Sequence, residues 1–396
     1  MQRDQARIDR IVAALRDGGL DALVCARPTN VLLLSGYWPV VGTAIAIASA
    51  DGRVAVLAPA DEADLARSGF ADIVDTFVPA SSGAASGASA AARAPFTALA
   101  RRLGLRGARI GRDGGEDTEP ASYAAVHLYG DALAELVGDA VPGAEQRDAG
   151  ALLATLRATL TPRELERVAR ACEIAADAFR TGAAAIRPGA TEREVAAAVR
   201  APLSTCAAAS ERADGFAWCM AGPDAAEAWA AFARSGARRI ARGDVVLVHC
   251  NSYVDGFWTD ITRTFVAGPP APRVRAMHSA VLDAREAALD VIRAGATGAE
   301  VDRATRAELE RHGFGDAIRH ATGHGVGFAA IAHDAPPKLD RDAPDVLEVG
   351  MTCNVEPAVY LPGLGGVRHC DVVCVAEHGA RVLTPFLSTA EELVLA

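Results

Sequence analysis

The order of apolar and polar positions divides the chain into two segments, residues 1–155 and 156–396. In the first, residues 7–18 place Ile8, Ile11, Val12 and Leu15 on one helical face. Short apolar runs follow at Ala22–Cys25, Val31–Leu34, Thr43–Ala48 and Val54–Leu57, interrupted by Pro28, Gly36 and Asp51-Gly52. That alternation predicts a helix and then short strands, an α/β unit. Residues 79–95 are almost all Ala, Ser and Gly, which offer little to pack and predict a flexible loop.

From residue 156 the helices lengthen and carry clean starts. In Thr161-Pro162-Arg163-Glu164 the threonine accepts from the backbone N–H three residues on, proline suits the first turn, and the glutamate reaches back. Ile186-Arg187-Pro188-Gly189-Ala190-Thr191 leads to Glu194-Val195, and 106 residues later Ile292-Arg293-Ala294-Gly295-Ala296-Thr297 leads to Glu300-Val301. Several positions match at one offset, which predicts an internal duplication within residues 156–396.

Gly243–Gly268 reads as a hairpin, with Asp255-Gly256 as its two-residue turn. That register puts Asn251 opposite Asp260, with His249 on the same sheet face as Asp260. Diagonal neighbours lie about 7–8 Å apart, within reach of one shared ion. Asp260 stands between Trp258 and Ile261, where an unpaired carboxylate is costly, so a metal or an arginine partner is expected. Three more clusters follow in order: His320-Ala321-Thr322-Gly323-His324-Gly325-Val326-Gly327 with His333 nine residues beyond His324, then Asn354-Val355-Glu356-Pro357, then Gly366-Val367-Arg368-His369-Cys370-Asp371. Glycines around a histidine keep the backbone bare for a ligand. Cys370 alternates with Val372 and Cys374, and reads equally as a small buried hydrophobe.

Composition narrows the function. The 396 residues have 51% apolar and 23% charged side chains, as in a soluble globular chain of more than one domain. A net charge of −10 argues against nucleic acid as a partner. No run of about 18 apolar residues predicts a membrane span. The Met1–Arg7 segment predicts no signal peptide, and eight cysteines without a regular framework suit a reducing compartment, so the expected location is cytoplasmic. Lys338, the single lysine, lies in a Pro- and Asp-rich stretch, which argues against Schiff-base chemistry.

These clusters together resemble the pita-bread superfamily of methionine aminopeptidase, aminopeptidase P, prolidase and creatinase. Asp21-Ala22-Leu23-Val24, Pro28-Thr29-Asn30 and Leu34-Ser35-Gly36 are similar to the creatinase/prolidase N-terminal domain. Thr259–Thr264, Gly323–Gly327, Glu356-Pro357 and Gly366–Asp371 are similar to the catalytic domain. The resemblance implies an α/β (α+β) chain, with the N-terminal domain at 1–155 and a pseudo-twofold catalytic domain at 156–396.

The family's peptidases bind two metal ions through two aspartates, a histidine and two glutamates. Asp260, His324 and Glu356 match the second aspartate, the histidine and the first glutamate. His249 stands at the first aspartate and Cys370 at the last glutamate. The altered set, Asp260, His324, Glu356 and Cys370 with His249 as a further candidate, suits one zinc, iron or manganese ion. His249, His320, His333 and Glu356 are the candidate catalytic groups; Trp229, Arg368 and His320 are the candidate substrate contacts. The implied activity is that of an Xaa-Pro-peptidase-like hydrolase cleaving a C–N bond in a small amide or short peptide. A metal-free, creatinase-like hydrolase, a metal-dependent lyase and a binding module are the alternatives. A homodimer is expected by analogy.

Overall fold

The computed structural model describes residues 3–40, 42–79, 87–114, 130–230 and 234–395. Two units emerge, Met1–Arg157 and Ala158–Ala396. The first opens with α1 (Gln5–Asp17), where the Asp4 side chain accepts from the Arg7 N–H. Its one sheet contains β1 (Ala22–Cys25), β2 (Ile45–Ser49), β3 (Val54–Pro59), β4 (Ile73–Phe77), β5 (Arg109–Arg112) and β6 (Glu145–Asp148). The order is β4-β3-β2-β1-β5-β6, and β1 pairs antiparallel with β2 but parallel with β5. The helices α2 (Pro28–Ser35), α3 (Ala63–Ser68), α4 (Ala88–Arg102), α5 (Asp131–Ala140) and α6 (Gly150–Ala158) complete it.

Two expectations fail in this unit. Val31–Leu34 is helical: Pro28 opens α2 and Gly36, at φ 69°, ends it. All four residues are buried, so no polar face marks the helical period. Residues 88–95, expected as loop, begin α4, while 80–86 lie outside the described residues. Alanine is the strongest helix former. Ala92, Phe96, Leu99 and Ala100, at helical spacing, pack in the core with Leu133 and Leu136.

The second unit runs through one pattern twice. Helices α7 (Pro162–Ala183) and α8 (Glu192–Thr205) precede the antiparallel strands β7 (Ala213–Ala221), β8 (Val245–Val254), β9 (Phe257–Trp258) and β10 (Ile261–Ala267). Helices α9 (Pro272–Val291) and α10 (Gly298–Arg311) precede β11 (Thr352–Val355), β12 (Ala358–Leu361), β13 (Gly365–Arg368), β14 (Asp371–Ala376) and β15 (Gly379–Val382). The chain closes with α11 (Ala390–Leu393) and β16 (Val394–Leu395), which pairs with β10. Capping boxes form at Thr161, Thr191 and Thr297. The core joins Val245, Leu247 and Val266 to Val274, Met277 and Val281 of α9. Each such side chain contributes about 1.5–3 kcal/mol when fully buried.

The hairpin that carries the chemistry turns at Asp255 (φ 52°) and Gly256 (φ 86°), two left-handed residues as a type I′ turn requires. Tyr253 pairs with Trp258 and His249 with Thr262, so Asn251 falls opposite Asp260. Among the described residues no helix is long and apolar enough to cross a membrane.

Candidate functional site

Asp260 lies between β9 and β10, and Cys370 between β13 and β14. Thr262 and Cys370 exchange backbone hydrogen bonds of 3.3 and 3.0 Å, which fixes the two segments side by side. The Cys370 thiol donates to the Asp260 carbonyl at 3.1 Å and lies 3.5 Å from Oδ1. His324 enters on the glycine-rich loop, its N–H donating to Asn354 Oδ1 at 2.7 Å. A Cβ on Gly323 would stand 2.1 Å from the Asn354 carbonyl oxygen. Glycine there permits the close approach of two backbones rather than of a ligand. Glu356 follows β11 and donates its N–H to the Thr322 carbonyl at 2.8 Å.

Three ligand atoms converge, and His324 stands beside them. His324 Nε2 is 3.8 Å from Asp260 Oδ2 and 3.8 Å from Glu356 Oε1. Ligand atoms of Asp260, Glu356 and Cys370 lie within 4.8 Å of one another. His324 Nδ1 sits 3.0 Å from the Gly325 carbonyl, which only accepts, so Nδ1 carries the proton, and the Nε2 lone pair accepts the Asn354 side-chain N–H at 3.1 Å. A tetrahedral ion with bonds of about 2.0–2.3 Å needs donors roughly 3.3–3.8 Å apart. Asp260, Glu356 and Cys370, with one ligand atom each within 4.8 Å of the others, fit three ligands of one ion, and His324 stands beside them. Burial pushes the Cys370 thiol well up, and the Asp260 and Glu356 carboxylates add to the effect. That is the wrong direction for a free nucleophilic thiolate.

The adjoining side is built around Arg368. Its Nε donates to Thr262 Oγ1 at 3.0 Å, its Nη2 reaches His249 Nδ1 at 3.1 Å, and its Nη1 lies 3.9 Å from Glu356 Oε2. Burial opposes the charge, but Tyr360, Glu356, Cys370 and Asp260 outweigh it and hold the guanidinium protonated. His249 is buried against the Trp218 ring at 4.8 Å, and Nδ1 is 3.8 Å from Asp260 Oδ1. Desolvation lowers its pKa, partly offset by Asp260.

His320 donates Nδ1–H to the Ala321 carbonyl at 2.8 Å and receives the Tyr360 hydroxyl on Nε2 at 2.9 Å. Burial lowers the His320 pKa and pushes the Tyr360 phenol up to about 12. The His333 ring stands 5.5 Å from that of His324 on an exposed stretch. Desolvation, then His324 and Lys338, lower its pKa. Trp229 is 41% exposed, and among the described residues it makes no ring contact or hydrogen bond with this cluster.

The sequence reading missed the supporting groups. Asn251 was visible two residues from His249 on one strand face. Asn354 and Tyr360, on the strands flanking Glu356, had no such mark. Arg263 gives all five N–H groups to the carbonyls of Phe386, Thr262, Cys370 and Thr384 and to Asp371 Oδ1, at 2.7–3.0 Å. It fixes the backbone of Cys370 from behind.

Residues 166–377 match Metallopeptidase family M24, and residues 7–159 match the Creatinase/Prolidase N-terminal domain. The chain belongs to family M24. It is 34% identical over 229 residues to an Xaa-Pro dipeptidase of Pyrococcus furiosus, covering 58% of this chain and 64% of that protein. It is 33% identical over 296 residues to "Probable dipeptidase PepE" of Mycobacterium tuberculosis, covering 71% and 75%. The structure of the Pyrococcus furiosus prolidase superposes with a TM-score of 0.72 at 27% identity, over 94% of this chain and 98% of that one. The sequence match spans just under two thirds of the Pyrococcus dipeptidase.

Proposed function

We propose that this chain is a hydrolase that cleaves the C–N bond of an Xaa-Pro dipeptide or a similar small amide at a centre holding one divalent transition metal. The observation that carries this reading is the convergence of Asp260, Glu356 and Cys370, with ligand atoms within 4.8 Å of one another and His324 Nε2 3.8 Å from both carboxylates. A sulfur beside two carboxylates suits zinc or iron better than manganese. Such an ion, when bound, polarises a carbonyl and acidifies a water.

The chain's own residues do the rest. Gly325 fixes the His324 tautomer through its carbonyl, and Arg263 fixes Cys370 through its backbone. Tyr360 keeps its phenol proton and donates it to His320, so that pair presents a neutral, hydrogen-bonded wall. His333, neutral at pH 7 and exposed, offers a donor for the oxygen of a reacting carbonyl.

The test is turnover of a panel of Xaa-Pro dipeptides and small amides, before and after chelation. Release of a free amine, lost on chelation and restored by one equivalent of zinc or iron, is expected. An alkene product would move the reading to elimination. No turnover across the panel, or turnover indifferent to chelator, would contradict it.

A further inference from the structure

The sheet face that carries Asp260 also carries four aromatic rings. Trp218 of β7 lies opposite His249 of β8, Phe216 opposite Asn251, and Tyr253 opposite Trp258 of β9. Residues two apart on a strand share a face, so these rings lie on one surface with Asp260, centred on Asn251. The helices pack on the other face. There the Ser252 hydroxyl lies 3.4 Å from the Ala171 carbonyl of α7, and a Cβ on Gly215 would stand 2.9 Å from the Leu203 side chain of α8.

The rings run outward from the centre. Trp218 stands 4.8 Å from the His249 ring, whose Nδ1 is 3.8 Å from Asp260 Oδ1. Phe216 and Trp258 are parallel within 2° at 6.5 Å between centroids, and Tyr253 meets Trp258 at 4.6 Å. Trp258 is buried, but Phe216, Trp218 and Tyr253 stay partly exposed. Arg200 closes the outer edge, its guanidinium 5.5 Å from the Phe216 ring centre. A half-exposed aromatic floor continuous with a few buried polar groups has the make-up of a small-ligand site. Such rings pair best with another ring, offset or edge-on. In an Xaa-Pro dipeptide only Xaa can bring one. We propose that this surface is the subsite for the Xaa side chain and selects an aromatic first residue, with Trp218 and Phe216 determining that specificity. The inference rests on the Xaa-Pro hydrolase reading above and names the substrate class within it.

The first test measures binding apart from turnover. The full chain as purified is titrated calorimetrically with analogues of Phe-Pro and Gly-Pro in which CH2–N replaces the scissile amide. The Phe analogue is expected to bind at least about tenfold more tightly. Trp218→Ala should remove most of that preference. Phe216→Leu, which stays apolar but loses the flat ring, should reduce it, and it decides the matter alone if Trp218→Ala does not fold. Equal affinities, no binding of either analogue, or a preference unchanged in the folded variants would overturn the proposal.

Turnover of Phe-Pro and Gly-Pro themselves adds the second arm. The ratio of their kcat/KM values should follow the ratio of affinities, carried mainly by KM, and should fall in both variants. A bound preference for the Phe analogue without turnover of either dipeptide would contradict the hydrolase reading and support the subsite. Turnover of both dipeptides with Gly-Pro favoured would support the hydrolase reading and overturn the subsite.

Discussion

Asp371 and Asp260 are both buried, at 0% and 2% exposure, and the protein treats them differently. Asp371 receives Arg263 at 2.7 Å, Arg285 at 2.5 Å and the Thr384 hydroxyl at 2.7 Å. Among the described residues Asp260 has no arginine or lysine nitrogen within 4.0 Å; its neighbours are the Cys370 thiol at 3.5 Å and two histidines at 3.8 Å. A buried carboxylate left uncompensated costs several kcal/mol. The chain supplies two cations to the first carboxylate and, to the second, the company of Glu356 and Cys370, a group that could hold a metal ion. One site is a structural rivet, and the other is the site proposed above to take a cation from outside.

The sharpest way to break that comparison is to neutralise each carboxylate. Asp371→Asn leaves two buried guanidiniums facing an amide and should cost about 3–5 kcal/mol in denaturant unfolding. Asp260→Asn in chelator should leave stability equal to wild type or higher, while abolishing the rise in Tm that metal produces. Equal losses in the two variants would erase the distinction. Next, Cys370→Ser should weaken zinc by at least about 100-fold in calorimetric titration, the upper end of what loss of even a supporting group costs.

A smaller effect comes from His278 on α9, whose pKa burial, with His369 beside it, pushes down to about 4. Its folded value lies below the unfolded value near 6.5. The unfolded chain therefore binds the proton first, and stability present above about pH 6.5 is lost as pH falls toward 4. By pH 5 that amounts to about 2 kcal/mol, and His278→Gln should flatten the slope. Smallest are Thr191→Ala and Thr297→Ala, each costing about 1 kcal/mol. As duplicate caps they should match within a few tenths.

Much of the site was legible in sequence because it depends on period and turn chemistry. Asp255-Gly256 set the hairpin register, and that register placed His249 beside Asp260. Thr191 and Thr297 announced the duplicated helices through their glutamates. What stayed hidden depends on tertiary approach. Asn354 meets His324 across 30 residues, Tyr360 meets His320 across 40, and Arg368 meets His249 across 119. The same limit applies to Val31–Leu34, where burial on every side removes the pattern that separates helix from strand.

The most direct test of the account is the metal content per protomer of protein purified without chelator, by elemental mass spectrometry, beside Asp260→Ala and Cys370→Ser. One zinc or iron per protomer in the wild type, lost from both variants, is the predicted result. Two ions per protomer, or none after supplementation, would contradict a centre rebuilt for a single ion.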